Sequence, residues 1–203
     1  CHGPAERWIA GHTAPGATHA GNLANGLYPA EQPLARAKLC LSCHFGAKDK
    51  FVTHRIMAAG HPRMSFEMEF GTNGQPAHFT VDADYLQRKG RGGGASEGLQ
   101  GWAIGQALAV ATQMEMLLTQ QRGRADLITA LTLFDCHACH HPMSNVRWEP
   151  RASVGLQPGI PRLNDSNLVM LAVISQRIDP TLANRLKQES LALHQASTQG
   201  NDA

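Results

Sequence analysis

Five cysteines and eleven histidines stand in this chain of 203 residues, and their order decides which chemistry to expect. Cys40-Leu41-Ser42-Cys43-His44 and Cys136-His137-Ala138-Cys139-His140 are complete C-x-x-C-H motifs, and Cys1-His2 repeats their last two letters. No cysteine is left over. C-x-x-C-H is the attachment signature of c-type haem. Its two thiols reach two vinyl groups of the porphyrin, and the next residue presents an imidazole to the iron, which takes a strong nitrogen ligand on its proximal side. The expected cofactor is haem c on Cys40 and Cys43 with His44, and on Cys136 and Cys139 with His140. A third site is expected at Cys1 and His2.

Other uses of these residues explain less. A zinc cage from Cys40, Cys43, Cys136 and Cys139 would have the right donors but would make the trailing histidines coincidental. A thioredoxin-like pair sits after a strand at a helix start, and no βαβ pattern surrounds either motif. Disulfides give no reason for a histidine after every second cysteine. For Cys1 the alternatives are the lipid-bearing first residue of a bacterial lipoprotein and a haem with one thioether. Gly3-Pro4 after His2 favours haem, because that pair turns the chain away from the haem face. With no initiator Met and no signal peptide, the sequence reads as mature, clipped or a fragment.

Eight histidines remain once His2, His44 and His140 are assigned as proximal ligands. That supply favours a second histidine on each iron over methionine, and His54 and His61 are the first candidates. His54 and His61 are two helical turns apart and can share a face, while Gly60 and Pro62 around His61 suggest a rigid turn that aims the ring. As distal ligands the two must serve different haems. His19 and His141 come next. His194, far from every motif on an expected exposed last helix, is read as uninvolved.

The elements that carry these residues are read from period and punctuation. Residues 1–35, rich in Gly, Ala, Pro and His, are expected to be loops and turns. A helix should start near Pro33 and run into the first motif, with Leu34, Ala37 and Leu41 on one face. Phe51 to Ala59 is helical in pattern and stopped by Gly60 and Pro62. Residues 66–81 read as irregular, and 88–98, with five glycines, as an exposed loop. Trp102 to Gln121 is the clearest helix, with Ile104, Leu108, Ala111 and Leu118 at helical spacing, Ala107, Val110, Met114 and Leu117 widening the stripe, and Gly123 as a stop. Ala125 to Cys139 is expected to form a second, antiparallel helix, with Leu127, Leu131, Phe134 and Ala138 on one face. After a wandering connection over 143–163, Asn164-Asp165-Ser166 can cap a helix through Ile178, and Pro180 can open the last one, to about Ala196.

The fold class expected is mainly α with much irregular loop, built around covalently bound haems. Leu, Ile, Val and Phe total 41 residues, about 20 % of the chain and thin for a core of this size. Porphyrin plates would supply the missing apolar volume. A formal charge of +2 gives no ground for nucleic acid or an anionic membrane surface. No run approaches the length of a transmembrane helix.

The two complete motifs and the Cys1-His2-Gly3-Pro4 opening resemble the multihaem c-type cytochromes of bacteria. More narrowly the chain resembles the tetrahaem electron carriers related to hydroxylamine oxidoreductase, through the Cys40–His44 run, Thr53-His54-Arg55-Ile56-Met57, Gly60-His61-Pro62 and the Cys136–His141 run. The resemblance covers about residues 1–148, so 1–148 is taken as a haem-binding domain and 149–203 as a connection and helices packing on it. At most three attachment sites are present, and a fourth would lie upstream of Cys1. The resemblance implies closely stacked haems that transfer electrons in the periplasm or outside the cell to redox protein partners. It also implies His12, which follows the first site as such ligands often do in resembling proteins, as a further distal ligand beside His54 and His61. No residue set reads as an acid–base or nucleophilic site, so a carrier is expected more than an enzyme. The alternatives are a haem enzyme of nitrogen-oxide or hydroxylamine chemistry with one open iron, and a homo-oligomer or conducting polymer in which spare histidines ligate a neighbouring copy.

Overall fold

The computed structural model describes residues 3–74, 87, 95–122, 130–142, 144 and 154–198. These residues are mainly helical. In order they form α1 (His19–Ala24), α2 (Pro33–His44), α3 (His54–Ala58), α4 (Met68–Gly74), α5 (Ala95–Arg122), α6 (Ser166–Ile178) and α7 (Pro180–Thr198). Short 3-10 turns stand at Leu131–Leu133 and Cys136–Ala138. Extended pairing among the described residues amounts to two isolated bridges, Ala47 with Lys50 and Phe134 with Leu163. The chain divides into two compact units, Cys1–His44 with Phe66–Gly105 and Phe45–Ser65 with Gln106–Ala203. Among the described residues no helix is long and apolar enough to cross a membrane.

In the first unit each helix start has a local cause. Thr18 caps α1 by accepting from the Gly21 amide at 3.0 Å. Pro33 opens α2, where its missing N–H costs nothing, and the Tyr28 hydroxyl donates to the Ala35 carbonyl at 2.9 Å to hold that first turn. Ala37 and Leu41 are the buried stripe of α2. Glu67 starts α4, its carboxylate accepting from the amides of Glu69 (2.9 Å) and Phe70 (2.7 Å). The first half of α5 offers glycines instead of side chains. Gly98 faces Glu69, Gly101 faces Arg36, and a Cβ on Gly105 would stand 2.6 Å from Met68 Cγ. That bare strip lets buried Met68 lie against the helix backbone.

The second unit is built on the rest of α5 and the α6/α7 hairpin. Ala109, Gln113, Met116 and Leu117 are the buried face of α5, and Gln113 Nε2 donates to the Asn164 carbonyl at 2.6 Å, just before α6. Asp179 joins the hairpin and caps α7 by accepting from Thr181 and Leu182 amides, with Pro180 as the first helical residue. Lys187 bonds Gln176, and His194 faces Asp165. These two pairs run in opposite senses, so the helices are antiparallel. Leu168, Ala172 and Ser175 of α6 and Ala183 and His194 of α7 are buried.

Several sequence expectations are corrected here. His19–Ala24 is a helix inside the expected loop region, and Met68–Gly74 is a helix inside 66–81; residues 75–81 lie outside the described residues. Ala95–Gly98 belong to α5, and 88–94 lie outside the described residues. The buried stripe of α5 is rotated from the expected one: Ala111 and Leu118 are exposed. The buried face carries Ala109, Met116 and Leu117 together with Gln113, whose amide is satisfied by the Asn164 carbonyl. The helix expected over 125–139 is not formed at 130–139, whose backbone is bonded elsewhere, and 125–129 lie outside the described residues. Leu133 accepts from the Asn164 amide and the Asp135 amide donates to Arg162, both at 2.9 Å.

His194 is the largest correction. It was expected on an exposed surface, and it is fully buried. Its Nδ1 donates to the Ser190 carbonyl at 2.7 Å, and its Nε2 stands 3.7 Å from Asp165 Oδ2. Asp165 makes no side-chain cap for α6; its carboxylate turns to the imidazole. Replacing His194 by Ala opens a cavity and removes the ring that faces a buried carboxylate, so it should cost roughly 2–4 kcal/mol. Urea unfolding followed by helical circular dichroism checks this, with Gln195→Ala on the exposed face as the neutral comparison.

Candidate haem-attachment sites

The first motif closes α2. Residues three and four apart share a helix face, so Cys40, Cys43 and His44 belong to one side of the last turn. Exposure rises along it: Leu41 is buried, Cys40 half-buried, and Cys43 and His44 exposed. Burial pushes the Cys40 thiol pKa up and neighbouring Cys43 adds to this, while Arg36, one turn earlier, pulls it down. Ser42 Oγ donates to the Leu39 carbonyl at 2.7 Å and lies 3.9 Å from Cys43 Sγ. The His44 imidazole stacks on the Phe66 ring, with centroids 4.4 Å apart and planes 22° from parallel.

The second motif reaches a similar arrangement without an α-helix. Asp135 stands at the head of the Cys136–Ala138 turn and accepts from the His137 amide at 3.2 Å. The same carboxylate pairs with Arg162, and the Phe134–Leu163 bridge ties the segment between buried Leu133 and Leu163. The His140 amide then donates to the Cys136 carbonyl at 2.8 Å, one full turn. Cys136 is half-buried, and Cys139 and His140 are exposed. None of the four cysteines of the two motifs is in a disulfide.

The candidate distal histidines differ in how their rings are held. A carbonyl only accepts, so a ring nitrogen bonded to one carries the proton. His12 Nδ1 donates to the Ile9 carbonyl at 2.5 Å, and its ring meets Trp8 edge-on at 5.6 Å. His61 Nδ1 donates to the Pro62 carbonyl at 2.7 Å, and His141 Nδ1 to the Pro142 carbonyl at 3.2 Å. In each the lone pair is left on Nε2, the tautomer in which metal-bound histidines are usually held. His19 is different, because its Nε2 meets Glu31 at 2.9 Å. His54 is exposed as the first residue of α3, behind the Thr53 cap. Thr132 Oγ1 donates to the Val52 carbonyl at 2.7 Å, which ties the strand of chain entering His54 to the one entering Cys136, inside the second unit.

Cys1 and His2 lie outside the described residues. Among the described residues no three of His, Cys, Asp and Glu are grouped as a metal ion alone would need. The chemistry of the donors fits a planar group better than a caged ion. Each motif offers a thiol pair outside any disulfide and an exposed imidazole, and large apolar side chains near the motifs or near His54 are bare: Leu34 (49 % exposed), Ile56 (42 %) and Leu131 (58 %). Sequence reasoning missed Phe66, Asp135 and Thr132. Asp135 alone had a visible signal, an N-cap residue directly before a motif; the partners of the other two are distant in sequence.

The raised pKa of Cys40 gives a test on chain made without haem attachment. Only the thiolate alkylates, so Cys40 should react with iodoacetamide more slowly than exposed Cys43 near pH 8. The gap should narrow as pH rises toward 10, as mass spectrometry of the peptides would read. Comparison with protein-family models, with curated proteins and with solved structures finds no match to this chain.

Proposed function

We propose that this protein is a multihaem c-type electron carrier. In this reading Cys40 and Cys43 hold one haem with His44 as proximal ligand, and Cys136 and Cys139 hold another with His140. Cys1 and His2 provide a third site. The observation that carries the reading is a repeated arrangement in two unrelated local structures. A helix end and a 3-10 turn both present a half-buried first thiol, an exposed second thiol and an exposed imidazole one turn on. When bound, haem supplies a one-electron iron couple whose potential the axial ligands and burial set.

The chain's own residues then have distinct tasks. Cys40 and Cys136, half-buried, and Cys43 and Cys139, exposed, would hold the haems covalently, and His44 and His140 would present an imidazole to the iron. His12 and His61 are held by backbone carbonyls with Nε2 available, which suits them as distal ligands. His54 serves the haem of Cys136 and Cys139 in this reading, since the Thr132–Val52 bond draws those segments together. Covalent haem attachment takes place outside the cytoplasm, so the protein acts in the periplasm or beyond the cell, with redox proteins as partners.

A carrier keeps every iron six-coordinate. The dithionite-reduced protein should therefore be low-spin and barely changed by carbon monoxide. Stoichiometric carbon monoxide binding at one iron, or turnover of hydroxylamine or nitrite, would replace the carrier by an enzyme with an open iron. His54→Ala should make one iron high-spin and raise its potential, because the oxidised iron loses a strong donor. That signal should vanish when Cys136 and Cys139 are also replaced by Ala. Its persistence would assign His54 to another haem.

A further inference from the structure

The Phe66 ring has an unusual place at the head of α4. Glu67 caps that helix, so Phe66 is the residue before the cap and Gly71 the fourth helical residue. At such a start an apolar residue in the position of Phe66 usually packs on a side chain in the position of Gly71. Here that side chain is missing, and the ring slides over the bare backbone. A Cβ on Gly71 would stand 2.2 Å from Phe66 Cε2 and 2.5 Å from Cζ. The other face of contact is the His44 imidazole, near-parallel at 4.4 Å. Phe66 is half-buried while His44 is exposed, so the fixed partner of the pair is the phenyl ring. Buried Met68 against Gly105 anchors the same helix within the unit.

We propose that Phe66 is a positioning residue for His44, clamped between Gly71 and the imidazole so that it sets the plane of the proximal ring. The inference rests on the proposed haem at Cys40 and Cys43. An exposed imidazole at a helix end has free rotation about its two side-chain torsions. Stacking removes most of that freedom, and offset ring pairs of this kind hold their geometry beyond simple area burial. In a low-spin bis-His haem the angle between the two imidazole planes sets the anisotropy of the paramagnetic signal and contributes to the potential. Phe66 thereby acts on the iron through the ligand, without touching it.

Gly71→Ala, Phe66→Leu and Phe66→Tyr, made in the full holoprotein, test this. Ala is the better helix former, so Gly71→Ala keeps α4 and displaces only the ring; Phe66→Leu keeps apolar bulk and loses the stack. Both should shift the lowest-field g value and the midpoint potential of one haem and leave the others unchanged. Phe66→Tyr, which keeps the stack, should restore both. Mass spectrometry of the parent comes first. Absence of haem from the Cys40–Cys43 peptide ends the proposed attachment and this inference together. Haem present there, with g values and potentials unmoved in Gly71→Ala and Phe66→Leu, overturns the inference alone.

Discussion

In both units a single closed turn carries a cysteine whose side chain is half-buried to an imidazole that is not. That turn constrains most of what surrounds it. The first thiol needs a packed wall behind it, which α2 provides with Ala37 and Leu41, and which the second motif provides with Leu133 and Leu163. The second thiol and the histidine need an open side, so the chain cannot cover them with its own helices. Local backbone type is secondary: an α-helical end and a 3-10 turn held by Asp135 reach similar exposures.

The interior is correspondingly modest and partly polar. Gln106, Gln113, Thr132, Ser175 and His194 are buried beside a small set of Leu, Met and Ala. Hydrogen bonds do the joining that a larger apolar core would do elsewhere. Gln113 reaches the Asn164 carbonyl, Thr132 reaches the Val52 carbonyl, and His194 Nδ1 reaches the Ser190 carbonyl, with its other nitrogen facing Asp165 at 3.7 Å. Each bond fixes a partner in a way that apolar packing alone does not, because a buried polar group without one is costly. Bare Ile56 and Leu131 stand close in sequence to His54 and Cys136, where a flat apolar group would cover them.

Local punctuation was readable in the sequence where its partners are also local. Pro33, Pro180 and the Asn164-Asp165-Ser166 run announced α2, α7 and α6, and the two motifs announced the thiol–imidazole sites. What the sequence concealed depends on residues far apart. The segment before Cys136 has a helical apolar period, yet its amide and carbonyl groups are bonded to Arg162 and Asn164. The face of α5 that is buried runs through Gly105, Ala109, Gln113, Met116 and Leu117 and leaves Ala111 and Leu118 outside. His194 reads as uninvolved in the sequence because it lies far from every motif; only the antiparallel hairpin brings Asp165 beside it. Phe66 fell in a stretch with no period, so its place on His44 had no one-dimensional signature.

Covalent attachment of haem at both motifs is the claim on which the rest stands, and peptide mass spectrometry of the denatured, acid-acetone-extracted protein tests it most directly. The account predicts haem retained on the peptide with Cys40 and Cys43 and on the peptide with Cys136 and Cys139, with iron in the matching ratio. Four alkylatable thiols on those peptides, or zinc bound in place of iron, would contradict it.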